Sequence, residues 1–116
     1  AFINAVDHPS AGILIDLMHI ARSKEPLPDL TASRFPYLQA CDFLQSSTSM
    51  TGRDYIQAAV DDRYCLGEGE ADATRMNLVR HASIDVSLEI RSRALREAFP
   101  DPIQRAQAIF NRCVRE

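Results

Sequence analysis

Three short apolar segments, each containing at least one acidic residue, constrain the fold of this chain more than any other feature. They are residues 12–16 (GILID), 36–42 (PYLQACD) and 84–90 (IDVSLEI), and helix-compatible stretches lie between them. Segments of this length and composition are typical of β-strands, and no tight hairpin signal joins them. The pattern therefore predicts an α/β fold in which three βα units form a parallel sheet.

The third of these segments has the clearest periodicity. Its aliphatic residues fall on alternate positions from 84 to 90, while Asp85, Ser87 and Glu89 occupy the positions between them. This predicts a strand with one aliphatic and one polar face, so that in a barrel Ser87 and Glu89 point into the interior. The first segment, an apolar run that ends at Asp16, is typical of a strand buried on both faces.

Helices are predicted between and after the strands. A brief one begins at residue 17, a second covers 54–62, and a third starts at a cap formed by Asp72 or Thr74. The terminal helix covers 101–114 and follows an Asp-Pro start. Its apolar stripe consists of Ile103, Ala106, Ile109, Phe110 and Val114.

The composition and charge of the chain argue against several classes of function. With 116 residues, 46% of them hydrophobic, the chain is long enough for one domain with a packed core. The net charge of −3 and the absence of a long basic run argue against nucleic acid as a partner. No apolar run is long enough to span a membrane, and the N-terminus lacks the pattern of a signal peptide.

The three cysteines, Cys41, Cys65 and Cys113, stand far apart without a CxxC pair. This argues against a disulfide framework or a structural zinc site and favours a reducing, cytoplasmic location. No basic neighbour clearly activates Cys41 or Cys65, which are predicted to be packing residues.

Three motifs occur in a fixed order along the chain. They are Asp16-Leu-Met-His19, Asp62-Arg63 followed by GEGE at 67–70, and Ser87-Leu-Glu89. Together they resemble the sugar-phosphate isomerase/epimerase family, the xylose-isomerase-like TIM barrels that include ketose 3-epimerases, hydroxypyruvate isomerase, inosose and dehydroshikimate dehydratases and, more distantly, endonuclease IV. The resemblance spans nearly all of residues 1–116 and implies the C-terminal part of a (β/α)8 barrel, strands six to eight, from a longer chain.

The resemblance also implies roles for individual residues. Asp16, Gln39 and Glu89 would bind a divalent cation such as Mg, Mn, Co or Zn, and Glu89 would also exchange a proton with the substrate. His19 would hold the substrate or, as in the endonuclease branch, a metal, and Arg63 would reach the substrate's oxygens. A further glutamate, from the fifth strand, would lie outside this chain, so the isolated chain is expected to be inactive.

The residues themselves leave alternatives open. Asp16 can simply cap the helix that follows it, and His19 can be a half-buried helix residue. Arg63 can form an ion pair with Asp61 or Asp62. Each of these readings needs no ligand.

Gln39 departs from the family, which has a histidine at that position. An amide oxygen is a weaker ligand, so the metal is held more loosely, a water fills the position, or the chemistry has changed. Asp42, three residues later, can orient the site or form an ordinary turn.

The expected function is metal-dependent isomerisation, epimerisation or dehydration of a small sugar, sugar phosphate or keto acid by proton transfer next to a carbonyl. The alternative is a non-catalytic half-barrel that binds the missing N-terminal portion or a copy of itself through its sheet edges. A natural reading frame that extends upstream with a strand ending in Glu favours the enzyme. Endonuclease-like action is disfavoured, because Gln39 and its surroundings lack the histidines it requires.

Overall fold

A three-stranded parallel sheet is the centre of the fold. The computed structural model describes residues 2–30, 34–46 and 49–114. The strands are β1 (Ile15–Asp16), β2 (Tyr37–Ala40) and β3 (Asp85–Leu88), and both pairings are parallel. The predicted mixed α/β class with a parallel sheet is therefore confirmed, although each strand is shorter than the apolar segment that predicted it.

Helices occupy the connections and the C-terminal region. They are α1 (Phe2–Val6), α2 (Leu17–Ser23), α3 (Gly52–Asp61), α4 (Ala73–Arg80), α5 (Arg93–Ala98) and α6 (Pro102–Cys113). Asp72 caps α4 and Asp101 caps α6, each by accepting hydrogen bonds from backbone N–H groups. The longest helix among the described residues has 12 residues, and none is long and apolar enough to cross a membrane.

The strands follow one another in space in the same order as in the chain, β1-β2-β3. In the register, Ile15 pairs with Leu38, while Asp16 pairs with Gln39, which in turn pairs with Ser87. Parallel crossovers are almost always right-handed, so two successive crossovers in one direction place their helices on the same face of the sheet.

One face of the sheet carries the core and the other is open. Ile15, Leu38 and Ala40 are buried in a cluster with Leu17 and Leu30. On the opposite face, Leu14 is 47% exposed and Tyr37 is 37% exposed. The prediction that the first segment is buried on both faces is therefore wrong.

The terminal helix forms as predicted, but most of its apolar stripe faces solvent. Ile103, Phe110 and Val114 are 79%, 56% and 53% exposed. The radius of gyration is 15.3 Å, compared with about 13 Å for a compact domain of this length. The chain thus leaves apolar surface on α6 and on the open sheet face without a cover among the described residues.

The Asp42 carboxylate fixes the glycine-rich turn to the end of β2. It is 1% exposed and accepts hydrogen bonds from three backbone N–H groups, those of Phe43 (2.8 Å), Gly67 (3.0 Å) and Ala71 (2.9 Å). Of the two roles predicted for Asp42, the structure shows the turn-forming one.

Gly69 lies against this carboxylate, and substitution to alanine is expected to destabilise the fold by roughly 2 kcal/mol. A Cβ atom at Gly69 would lie 2.5 Å from Asp42 Oδ1 and 2.8 Å from the Phe43 backbone nitrogen, so the turn would have to shift. Urea unfolding of Gly69→Ala measures the loss. Gly52→Ala is the matched control, because a Cβ there meets nothing within 4 Å and Ala favours the helix. Equal stability of the two variants would contradict the close packing.

Candidate functional site

A cleft of about 520 Å³ lies at the carboxyl end of the sheet. Its walls are formed by residues from β1, α2, β2, the segment after α3 and the end of β3: Leu14, Ile15, Asp16, His19, Ile20, Ser23, Gln39, Arg63 and Glu89. We call it the strand-end cleft. All five residues that the motifs and the resemblance nominated line it. Parallel strands bring their carboxyl ends to one edge, which is why residues so distant in sequence meet here.

Asp16 ends β1 and uses its two carboxylate oxygens differently. Oδ1 accepts hydrogen bonds from the backbone N–H groups of Met18 (2.9 Å) and His19 (3.2 Å), so Asp16 caps α2. Oδ2 accepts a hydrogen bond from Arg63 Nη1 at 2.8 Å. The capping alternative is therefore correct, and it leaves one oxygen directed toward the cleft residues.

The backbone on both sides of Arg63 is fixed by the neighbouring strand ends. Tyr64 forms an antiparallel bridge with Asp42, and Asp62 forms one with Ser92. The Arg63 side chain enters the protein between these bridges and is only 4% exposed. A buried guanidinium needs nearby negative charge, since an unpaired charge in the interior is costly.

The guanidinium of Arg63 joins the two carboxylates of the cleft. Nη1 lies 2.8 Å from Asp16 Oδ2 and 3.5 Å from Glu89 Oε2, while Nε donates to the Ala59 carbonyl at 2.9 Å. Burial alone would lower the pKa of Arg63, but the hydrogen bond and the charge of Asp16 outweigh it and raise the pKa. The arginine therefore stays charged and holds both acids in position.

The predicted alternative, an ion pair from Arg63 to Asp61 or Asp62, is wrong. Asp61 binds Arg96 and Arg93 instead, the latter at 3.1 Å. Hydrogen bonds from Arg96, Gln57 and Arg93 lower the pKa of Asp61. Sequence proximity suggested the wrong partner, because α3 turns the Asp61 side chain toward α5.

Glu89 follows the last residue of β3, and its backbone N–H donates to the Ala40 carbonyl at 3.0 Å. Its side chain is 31% exposed and lines the cleft, as the alternating pattern predicted. Gln39 lies in the neighbouring strand, paired with Asp16 on one side and Ser87 on the other. Asp16, Gln39 and Glu89 thus bring oxygen atoms to one cleft.

His19 lies one helical turn beyond Asp16, as the spacing predicted, with its Nε2 3.7 Å from Asp16 Oδ2. The side chain is 60% exposed, so the alternative of a half-buried histidine is wrong. It stands at the solvent side of the cleft, where an imidazole can donate a hydrogen bond to a bound molecule.

The donor chemistry of the cleft suits a hard divalent cation, since two carboxylates and an amide supply oxygen ligands. Arg63 already pairs with both carboxylates and balances one of their two negative charges, so a cation would compete with its guanidinium. Within the described residues, no group of three or more His, Cys, Asp or Glu side chains forms a metal-binding cluster. A metal at this site stays a prediction.

Cys41 lies beneath the cleft and is fully buried with Met18 and Phe43, as a packing residue should be. The fold brings one basic group close to it, since Arg63 Nη1 lies 3.5 Å from its Sγ. Burial nevertheless raises the pKa of Cys41 to about 11, with Arg63 opposing this rise. The thiol is therefore protonated at neutral pH and is a poor nucleophile.

Arg22 is a neighbour of the site that the sequence did not reveal. Its guanidinium lies 5.5 Å from the centre of the Tyr55 ring and donates to the Tyr55 carbonyl at 3.3 Å. Burial lowers its pKa. The sequence did contain a signal for this position, because Arg22 comes three residues after His19 and therefore lies on the same side of α2.

Comparison with protein-family models finds no match, and no curated protein or solved structure is significantly similar to the chain. The family resemblance therefore rests on the ordered motif residues alone. The structure adds that these residues meet in one cleft, as residues at the carboxyl ends of neighbouring parallel strands do.

Proposed function

We propose that this chain is the last three βα units of a barrel enzyme that isomerises, epimerises or dehydrates a small polyhydroxylated carbonyl compound. The observation that carries the proposal is the convergence of Asp16, His19, Gln39, Arg63 and Glu89 on one cleft at the carboxyl end of a parallel sheet. Active sites of (β/α)8 enzymes lie at this end of their strands.

The winding of the sheet supports a barrel segment. Successive strands are added on the same side, in the order β1-β2-β3, as they are in a barrel and in each half of a doubly wound sheet. The open face carries Tyr37, Gln39 and Ser87, and in a closed barrel this face would line the interior. The large radius of gyration and the exposed stripe of α6 agree with a chain that packs against further units.

Each cleft residue would have a separate role in such a reaction. Glu89, the more exposed of the two carboxylates, exchanges a proton with the carbon next to the substrate carbonyl. Arg63 holds the carboxylates of Asp16 and Glu89 in position from the buried side of the cleft. His19 donates a hydrogen bond to a substrate oxygen. Asp16, Gln39 and Glu89 would hold the divalent cation, which when bound acidifies the adjacent C–H group.

Glu89→Gln is expected to lower proton exchange by about 10²–10⁴-fold, the usual contribution of a general base. The amide keeps the shape and the oxygen but cannot take a proton. The measurement is deuterium incorporation from D2O into ketoses, ketose phosphates and keto acids, followed by NMR, with the complete gene product and added Mg²⁺ or Mn²⁺.

Glu25→Gln is the matched control, since this exposed glutamate lies outside the cleft. Full activity in Glu89→Gln would exclude Glu89 as the base. Absence of both metal binding and turnover across the whole substrate panel would refute the enzyme proposal itself.

A second candidate is a non-catalytic half-barrel that associates with a missing portion or with a second copy. The exposed Leu14 on the sheet and Ile103 and Phe110 on α6 favour it. Light scattering after size-exclusion chromatography measures association. A stable complex without turnover supports this candidate, and a monomer without turnover contradicts it.

A further inference from the structure

A second cavity, of about 650 Å³, lies away from the strand-end cleft and shares no residue with it. The turn after Cys65, helix α4 and the end of α6 form its walls, which include Leu66, Glu68, Arg80 and Cys113. Nothing in the proposed reaction uses this cavity.

Two thiols meet beside this cavity although 47 residues separate them in the chain. Cys65 is fully buried, whereas Cys113 is half-buried and lines the cavity. The two thiols are within hydrogen-bonding contact of each other, and the Leu66 N–H contacts the Cys113 sulfur. Beside them Arg112 and Glu68 approach to 3.5 Å, which places the end of α6 against the turn after Cys65. The contact joins one accessible sulfur, that of Cys113, to one shielded sulfur, that of Cys65.

The groups around the two thiols favour the thiolate form of Cys113, which is the more accessible of the two. The hydrogen bond with Cys65 is the main cause that lowers the pKa of Cys113 to about 7, with burial opposing it. The same contact raises the pKa of Cys65. The charged groups facing Cys113 are Glu68 and Arg112, which form an ion pair at 3.5 Å and act in opposite directions.

We propose that Cys65 and Cys113 are a redox-active dithiol that closes to an intramolecular disulfide by exchange with a low-molecular-weight disulfide. The Cys113 thiolate attacks one sulfur of the small disulfide and expels a thiolate, leaving a mixed disulfide on Cys113. Cys65 then loses its proton and attacks the Cys113 sulfur, which expels the second small thiolate. Both protein thiols are oxidised, and one small disulfide is reduced to two thiols.

The position of the bond gives it a structural consequence. It would fix the end of α6 to the segment after α3, two residues beyond Arg63. Cys41 cannot replace either partner, because it lies in a different buried cluster beneath the cleft. The pair is a reversible site and not the disulfide framework that the cysteine spacing argued against.

Peptide mapping tests the proposal directly, because trypsin places the three cysteines in separate peptides, residues 35–53, 64–75 and 113–115. The folded protein is incubated with oxidised glutathione, free thiols are blocked, and the digest is analysed without reduction. The expected product links peptides 64–75 and 113–115. The oxidised protein should also melt about 10 °C higher, because the bond closes a long loop.

Two variants separate the steps. Cys65→Ser should accumulate the mixed disulfide on Cys113, and Cys113→Ser should abolish the linkage and leave Cys65 unmodified. If Cys65→Ser does not fold, alkylation of the wild type provides the readout: Cys113 should react at least ten-fold faster than Cys41, with its rate rising through pH 7. Equal rates, or a mixed disulfide that persists in the wild type, would overturn the proposal.

Discussion

Arg63→Met is expected to lower the free energy of unfolding by about 3–5 kcal/mol, the usual cost of breaking a buried ion pair from one side. Methionine retains the length of the side chain but removes the charge between Asp16 and Glu89. The Asp16 side chain is 10% exposed, so its carboxylate would remain largely buried without a cationic partner. Chemical denaturation with urea measures the loss.

A double-mutant cycle with Asp16→Asn isolates the ion pair. Asparagine still caps α2, and in its presence Arg63→Met should cost at least 1 kcal/mol less than in the wild type. The exposed Arg80 supplies the matched control Arg80→Met, which should change stability by less than about 0.5 kcal/mol. If Arg63→Met is as mild as Arg80→Met, the guanidinium does not support the cleft.

Local periodicity was sufficient to predict the strands and most helices, since those elements depend on residues near one another in the chain. Helix α5 was missed, because its six residues bury only Leu95 and carry no apolar stripe. The end of β1 at Asp16 was predicted correctly but its start was not, since only two of the five residues of the segment 12–16 find a pairing partner. Pairing is a property of the neighbouring strand and cannot be deduced from one segment.

The site was predicted less completely, because its contacts are long-range. The hydrogen bond between Arg63 and Asp16 joins residues 47 positions apart, and sequence proximity instead suggested Asp61. Likewise, the sequence did not reveal which groups donate hydrogen bonds to Asp42. One donor is the N–H of the next residue, Phe43, but the other two, those of Gly67 and Ala71, lie more than 20 residues away. The motif order nominated residues that line one cleft, but the fold decides which of them touch.

The same reasoning assigns a large effect to the Asp42 carboxylate, and Asp42→Ala is expected to cost about 3–5 kcal/mol. The substitution removes the acceptor of three backbone N–H groups, and each unsatisfied buried donor costs roughly 1–3 kcal/mol. Asp42→Asn should lose less, because its amide oxygen can still accept from Phe43 and Ala71. Asp85→Ala, at an exposed acid on β3, is the control and should be near neutral.

Combining Asp42→Ala with Gly69→Ala tests whether the two residues act through one contact. The Cβ atom that Gly69→Ala adds would approach the Asp42 carboxylate most closely, so shortening residue 42 removes part of that clash. The double variant should therefore lose at least 1 kcal/mol less than the two single losses added together, the sign expected for side chains in contact. Strict additivity in urea unfolding would show that Gly69 is needed for a reason other than its packing on Asp42, and the Phe43 backbone would then be the remaining obstacle.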